Sequence, residues 1–274
     1  MNDQRVLITG AAGTVGTLMR PRLRRPGRVL RLLDLAPQTP AEPDEAVELL
    51  TGSVTDAEAM KSACQDVDAL IHLGGLSREN TWEATCDVNI GGTHTVLDAA
   101  REAQVPRVVL ASSNHAVGFR TTDEGGAAGL PADSSPRPDT YYGVSKAAIE
   151  ALGSLYHSRF GMDVTAIRIG SCFETPLPLG ARGLSTWLSP DDCARLLEAC
   201  LATTSPGYRL IWGVSDNARR TFSLAEAEAL GYSSQDDAEV YAPRLAAPPA
   251  PDGTPADLVG GSFCTAPLGH HNPL

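Results

Sequence analysis

The sequence predicts an α/β fold: a doubly wound parallel sheet with a small C-terminal substrate lobe, in one domain spanning residues 1–274. Short apolar, β-branched runs alternate with helical patterns through the first part of the chain. Those runs are almost continuously apolar, as strands covered by helices on both faces require. The first of them leads directly into a glycine-rich turn and then a helix. A chain of 274 residues with 42% hydrophobic content is long enough to bury one sizeable core.

Arg5-Val6-Leu7-Ile8-Thr9 reads as the first strand and runs into Gly10-Ala11-Ala12-Gly13-Thr14-Val15-Gly16. Glycines in such a turn let the backbone approach a pyrophosphate, and the helix that follows offers N–H donors and its positive end. The spacing G-x-x-G-x-x-G differs from the commoner G-x-G-x-x-G, yet the order strand, turn, helix predicts a Rossmann-like dinucleotide site. The second strand, Arg28 to Leu33, ends on Asp34, eighteen residues after Gly16. A carboxylate there accepts hydrogen bonds from the adenosine ribose and repels a 2′-phosphate. Leu35 and Ala36 offer that phosphate no cation, so the sequence predicts NAD rather than NADP; Asp34 reads otherwise as a plain strand-end turn residue. Arg20, Arg22, Arg24, Arg25 and Arg28 read as a solvated helix face and turn.

A third strand is expected near Val47 to Leu50, a helix from Asp56, and a fourth strand at Ala69-Leu70-Ile71-His72-Leu73. Gly74-Gly75-Leu76-Ser77 breaks it at the carboxyl edge, where ligands bind in open α/β sheets. A helix through Thr93 to Gln104 leads to the strand Arg107 to Ala111, which delivers Ser112-Ser113-Asn114-His115 to the same edge. The Gly-, Pro- and Ser-rich loop over 120–138 is placed to close over a ligand. Asp139 or Thr140 caps the next helix, which ends near Gly161. A sixth strand, Val164 to Ile169, stops at Gly170-Ser171-Cys172. Three strand ends thus bring hydroxyls to one crevice. Residues 1–170 read as mainly the cofactor-binding part, and 171–274 as mainly the substrate lobe and tail.

The helix after the loop carries Tyr142 and Lys146. Side chains at i and i+4 share a helix face, about 6 Å apart along the axis. A lysine so placed is expected to lower the phenol pKa from about 10 toward neutrality, which makes Tyr142 a base for removing a hydroxyl proton. The pair alone occurs on many amphipathic helices; beside a dinucleotide turn it reads as catalytic.

The net charge of −11 and a pI near 5.0 argue against nucleic acid or an anionic membrane as partner, since either calls for a cationic surface. No apolar run reaches the length of a membrane span, and the chain enters its first strand at once, so a cytoplasmic location is expected. Cys64, Cys86, Cys172, Cys193, Cys200 and Cys264 lack metal-type spacing and read as free thiols of a reducing compartment, the six histidines form no cluster, and no metal is expected. An anionic substrate must then be met by a local cation.

The strings Ala111-Ser112-Ser113-Asn114-His115, Tyr142-Gly143-Val144-Ser145-Lys146, Arg168-Ile169-Gly170-Ser171-Cys172 and Leu184-Ser185-Thr186-Trp187-Leu188-Ser189, with Gly260-Gly261-Ser262-Phe263, occur in that order. Through them the chain, over nearly its whole length, resembles the uronate dehydrogenases of the extended short-chain dehydrogenase/reductase superfamily. The resemblance implies oxidation of the anomeric hydroxyl of galacturonate or glucuronate to the aldarolactone with NAD, as part of uronate catabolism. It implies Tyr142 as base, Ser113 holding the reacting oxygen and Lys146 on the nicotinamide ribose. Ser77, Ser113, Asn114, His115 and Ser171 are implied as sugar contacts and Arg182 as the carboxylate partner. Arg182 reads equally as a loop arginine between Gly180 and Gly183, and His115 as a buried structural histidine.

Cofactor contacts are implied at Gly10, Gly13, Thr14, Val15, Gly16, Asp34 and Leu35. Further contacts fall at Leu73, Gly74, Gly75, Leu76 and Ser77, and at Asn89, Tyr142 and Lys146. Ser53-Val54 stands where such enzymes usually carry Asp and an apolar residue near the adenine, and Arg219-Arg220-Thr221-Phe222 where they tend to carry paired tryptophans. Residues 243–257, rich in Pro and Ala, read as an extended linker to a terminal segment that packs on a neighbouring subunit, and a homo-oligomer is expected. Nucleotide-sugar epimerases and dehydratases share the glycine turn, serine and Tyr-Lys pair. The chain after Tyr142 is short for a lobe that must also hold a nucleotide diphosphate. A non-catalytic NAD-binding regulator is expected to lack the tyrosine or lysine, and both are present.

Overall fold

The computed structural model describes residues 4–204, 207–245 and 257–271. In chain order, β1 (Gln4–Thr9), α1 (Thr14–Arg22), β2 (Arg28–Asp34), β3 (Val47–Thr51), α2 (Ala57–Ala63) and β4 (Ala69–His72) form the first half of the sheet. α3 (Trp82–Thr85) continues through a π-helical turn, Cys86–Gly91, into α4 (Gly92–Glu102). β5 (Arg107–Ser113), α5 (Tyr141–Phe160) and β6 (Asp163–Ile169) follow. The short pair β7 (Ser171–Cys172) and β8 (Trp187–Leu188) flanks α6 (Gly180–Thr186). After them come α7 (Pro190–Ala202), β9 (Tyr208–Gly213) and α8 (Ala225–Glu228).

Seven strands pair in parallel in the order β3-β2-β1-β4-β5-β6-β9. The strand order reverses between β1 and β4, which opens a crevice at their carboxyl ends. Alternation along each strand sorts the apolar side chains to two faces. Val6, Ile8, Ile71, Val109, Ile167 and Ile211 pack on α1 and on Leu196, Leu197 and Cys200 of α7. Leu7, Leu70, Val108, Leu110, Val164 and Ala166 pack under Met60, Val96, Leu97 and Tyr156 of the opposite helix layer. Each such aliphatic side chain, fully buried, stabilises the fold by about 1.5–3 kcal/mol. α7 and β9 are therefore parts of the main layers, while Leu184, Trp187 and Ala238 make a small separate cluster with Tyr241, Ala242 and Leu245.

Local chemistry sets the ends of the elements. Asp56 caps α2 by accepting from the Glu58 and Ala59 amides. Thr140, rather than Asp139, caps α5 by accepting from the Gly143 amide, and Gly161 closes that helix in the left-handed region. Arg28 departs from the solvated reading. Its side chain is fully buried and paired with Glu198 of α7, because the charge at the start of β2 lies under that helix.

The 120–138 loop is fastened to the sheet through its second half. Leu130 and Ala132 are buried, Trp212 Nε1 donates to the Leu130 carbonyl at 2.8 Å, and Arg168 Nη1 donates to the Ser134 carbonyl at 2.9 Å. These bonds hold it against β6 and β9. Phe222, in the Arg219–Phe222 stretch, packs on Trp212 with ring centroids 4.4 Å apart, away from the crevice, while Arg219 pairs with Glu239 and Arg220 with Asp216. Of the proposed linker, Pro243 and Arg244 end a 3-10 helix (Ala238–Arg244), and residues 246–256 lie outside the described residues. Residues 257–271 pack on the crevice of their own chain: Thr121 bridges Leu258 antiparallel, and the Val259 and Gly260 amides donate to the Arg120 and Gly118 carbonyls. No helix among the described residues is long and apolar enough to cross a membrane.

Candidate active site

The crevice floor is built where β1 meets β4. Gly10 has φ +71°, and a Cβ there would sit 2.6 Å from the Gly74 amide nitrogen; a Cβ on Gly16 would sit 2.4 Å from the Gly10 carbonyl. A side chain at Gly10 would push the turn after β4 away, and one at Gly16 would lift the start of α1 off its own turn. Gly13 caps α1 without a side-chain hydrogen bond, so Thr14, Val15 and Gly16 present the start of the helix to the crevice. Asp34 lies beside this turn, accepting from the Ala12 amide at 2.9 Å and the Ala36 amide at 2.9 Å, with Leu35 exposed next to it. The cradle and the carboxylate fit a dinucleotide whose ribose carries free hydroxyls. Ser53 turns its hydroxyl to Thr55 Oγ1 at 2.8 Å, and Val54 packs where a Cβ on Gly74 or Gly92 would collide with it.

Asn89, on the π-helical turn, clamps the 73–77 strand end. Its Oδ1 accepts from the Leu76 amide at 2.7 Å, and its Nδ2 donates to the Leu76 carbonyl at 3.1 Å and to Ser145 Oγ of α5 at 2.9 Å. Beneath it, Thr93 Oγ1 donates to the Asn89 carbonyl, so it accepts from His72 Nε2 at 3.0 Å, and His72 Nδ1 accepts from Thr9 Oγ1 at 2.7 Å. Burial, aided by the Lys146 charge, holds His72 neutral with its pKa pushed down to about 3. Four elements are thus locked by one directed chain of hydrogen bonds. Leu73, Gly75 and Ser77 lie above it, with Ser77 exposed.

Tyr142 and Lys146 stand on the first turns of α5 against the end of β5. Lys146 Nζ donates to the Ala111 carbonyl at 2.7 Å and lies 5.4 Å from the Tyr142 ring centroid. The Tyr142 phenol hydrogen-bonds Ser113. The expectation that Lys146 brings the phenol toward neutrality is corrected here. Burial pushes Tyr142 up to about 12, with Ser113 lowering it and Asp139 raising it, while burial brings Lys146 down to about 8 against the pull of Glu150.

Arg182 belongs to α6 rather than a loop. Its Nη2 donates to the Val259 carbonyl at 2.8 Å, and among the described residues no carboxylate lies within ion-pair distance. Burial lowers its pKa, and the Asp139 charge opposes this. Asn114 Nδ2 donates to the same Val259 carbonyl at 3.1 Å; the residue is fully buried, so it supports the site from below. His115 stacks on Phe263 at 4.0 Å, lies edge-on to Tyr142 at 5.7 Å, and is bound through Nδ1 to Asp139 Oδ2 at 2.6 Å. Ser171 Oγ meets Thr186 Oγ1 at 3.1 Å on the α6 side.

Ser113, Tyr142, Lys146, His115 and Arg182 therefore come together, while Asp34 and Ser53 lie toward the other end of the sheet edge. Sequence reasoning missed His72, Glu79, Asp139 and Val259. Glu79 is buried, accepts from the Tyr142 amide at 2.9 Å and from the Gly269 amide at 2.8 Å, and so ties the C-terminal segment to the start of α5. Val259 acts through its carbonyl, which no side-chain pattern reveals. Among the described residues no group of His, Cys, Asp and Glu is arranged to hold a metal ion.

Residues 6–173 match the model of the NAD dependent epimerase/dehydratase family. A uronate dehydrogenase of Pseudomonas putida is 40% identical over 96% of this chain and 96% of its own. An NAD-dependent glucose-6-phosphate dehydrogenase of Haloferax volcanii is 38% identical over 87% of this chain and 96% of its own. The crystal structure of an Agrobacterium tumefaciens uronate dehydrogenase mutant complexed with NAD superposes with a TM-score of 0.89 at 36% identity, covering 96% of this chain and 98% of that one. The chain thus belongs to the NAD dependent epimerase/dehydratase family and, within it, to the uronate dehydrogenases.

Proposed function

We propose that the protein oxidises the C1 hydroxyl of a pyranose hexuronic acid, D-galacturonate or D-glucuronate, to the aldarolactone with NAD. The observation that carries this reading is Arg182: a guanidinium without a carboxylate partner among the described residues, joined through one carbonyl to Asn114 at the end of β5. A guanidinium binds a carboxylate bidentately, and Arg182 is tied through the Val259 carbonyl to Asn114, the residue next to Ser113. Bound NAD supplies the hydride acceptor and, when oxidised, a positive charge that favours the phenolate.

The remaining chemistry falls to side chains of this protein. Ser113 holds the C1 oxygen, Tyr142 Oη takes its proton, and Lys146 binds the nicotinamide ribose and offsets the phenolate charge. The C1–O bond becomes the lactone carbonyl as the C1 hydride leaves. General-base help of this kind contributes roughly 10²–10⁴-fold in rate, with alignment of the reacting atoms adding more. His115 and Ser171 contact the sugar together with Ser77. Asp34 selects NAD through the ribose hydroxyls, and Gly10, Gly13, Thr14, Val15, Gly16 and the 73–77 strand end receive the rest of the dinucleotide. Residues 1–170 mainly bind cofactor and the chain from 171 mainly shapes the sugar side. The protein acts in the cytoplasm as a homo-oligomer.

The test is reduced-nicotinamide formation by purified protein with NAD or NADP, comparing galacturonate, glucuronate, galactose, glucose and glucose 6-phosphate. Turnover confined to NAD and the uronates is expected. Equal turnover of the neutral sugars would remove Arg182 from its role, and preference for the phosphate sugar would move the reading to C1 oxidation of sugar phosphates.

A further inference from the structure

Asp139 is a carboxylate hydrogen-bonded to a side chain of the site, His115, that the reaction scheme above does not use. Its side chain has no exposed surface. Oδ2 accepts from His115 Nδ1 at 2.6 Å and Oδ1 accepts from Thr140 Oγ1 at 2.9 Å. Three glycines from separate parts of the chain close around it. A Cβ on Gly118 would lie 2.0 Å from Oδ2, one on Gly260 2.1 Å from Oδ2, and one on Gly143 2.9 Å from Oδ1. None of the three has a positive φ, so space rather than backbone conformation calls for glycine there. At Gly118 and Gly260 the acid itself is the nearest obstacle, and at Gly143 the His115 carbonyl, 2.4 Å away, is nearer still, so the missing side chains seat the acid and the histidine together.

The consequence concerns which nitrogen of His115 carries the proton. An ionised carboxylate only accepts, so the neutral ring keeps its hydrogen on Nδ1. Nε2 has no partner among the described residues and is not sealed from solvent. The ring cannot turn away, since Phe263 stacks on one face and Tyr142 abuts its edge.

We propose that Asp139 is a positioning residue that fixes neutral His115 as an Nδ1–H tautomer, so that Nε2 is a bare acceptor selecting a sugar hydroxyl and leaving the carboxylate to Arg182. The substrate half of this statement rests on the uronate reading; the tautomer half does not. A donor at Nε2 would compete with Arg182 for the carboxylate and allow the sugar to bind reversed. An acceptor there permits only the pose with the acid at Arg182 and a hydroxyl at His115.

Two measurements test it. In protein labelled with ¹⁵N-histidine, two-bond ¹H–¹⁵N spectra at pH 8, assigned with His115→Gln, are expected to show His115 as Nδ1–H in the wild type and as Nε2–H or a mixture in Asp139→Asn. An Nε2–H or doubly protonated ring in the wild type overturns the proposal, without need of any variant that might fold poorly. In steady-state kinetics, Asp139→Asn is expected to lower kcat/KM for the uronate about 10- to 100-fold in the wild type, mainly through KM, and less than about 3-fold in a His115→Gln background. Equal losses in both backgrounds would show that Asp139 acts other than through His115. A wild type with the Nδ1–H tautomer but no uronate turnover would sink the substrate half, along with the reading it rests on.

Discussion

Tyr142 and Lys146 are both buried, and burial moves their pKa values to about 12 and about 8. With Tyr142 as the proposed base, the phenolate is the active form and log kcat/KM for the uronate should rise with pH from 7 until Lys146 loses its charge near 8, and a flat profile over that range would argue against Tyr142 as base. Tyr142→Phe should remove at least about 10²-fold of turnover while leaving the NAD dissociation constant, measured by fluorescence titration, within a few-fold. Lys146 works against folding. Its pKa falls below the ordinary 10.5, so the cost of keeping it charged is full below pH 8 and vanishes above 10.5. That cost is about 3 kcal/mol, less the bond to the Ala111 carbonyl. Lys146→Met should therefore abolish activity yet raise the melting temperature at pH 7 by several degrees, a gain that shrinks at pH 10. Arg182→Ala should raise KM for uronates about 100-fold and bring them level with neutral sugars. That Tyr142 and Lys146 share one helix face could be read from the sequence, because their spacing is set by one helix. The ring tautomers of His72 and His115 could not, since each depends on a partner that only the folded sheet brings near.

Among the elements, α5 collects the most contacts of consequence. Its N-terminal amide at Tyr142 is bound by Glu79, a carboxylate at the positive end of a helix. The same side chain holds the Gly269 amide, so one residue fastens both the start of α5 at Tyr142 and the C-terminal segment. Glu79→Gln should loosen that segment: amide exchange at Gly269 and Val259 should accelerate, and KM for the uronate should rise more than kcat falls. Unchanged exchange would mean that the antiparallel pairing with Arg120 is sufficient alone. Strands and the start of α5 were legible because apolar runs and a Thr cap are local signals. The role of 257–271 was not. Its bonds to Asn114 and Glu79 span 145 and 190 residues and use mainly backbone groups, which carry no sequence signature.

At the scale of the molecule, the sheet order places the turns after β1, β4, β5 and β6 side by side; near-continuous apolar runs made the parallel sheet readable from the sequence, but not the order of its strands. What composition could not show is the ionic framework inside it. Arg168 of β6 and Glu150 of α5 are both nearly fully buried and joined by two bonds of 2.8 Å, with Ser112 bound to the same carboxylate and Trp212 beside the guanidinium. Arg168→Met leaves that carboxylate alone in the core and should cost about 3–5 kcal/mol. A fall of roughly 10 °C in melting temperature is expected. Converting both partners to apolar residues should restore most of the loss; failure to do so would assign the cost to packing on Trp212 instead.

The carbonyl of Val259 that joins Arg182 to Asn114 also sets an order of assembly. A growing polypeptide that has left the ribosome as far as β9 already contains every strand of the seven-stranded sheet and the glycine turn, while Phe222, Leu224 and Tyr232 of the core and the Val259 carbonyl are still to come. Arg182 at that stage lacks the carbonyl to which it donates. With Arg182 in its proposed role, competence toward the sugar is expected late in synthesis, as a separate event from cofactor capture.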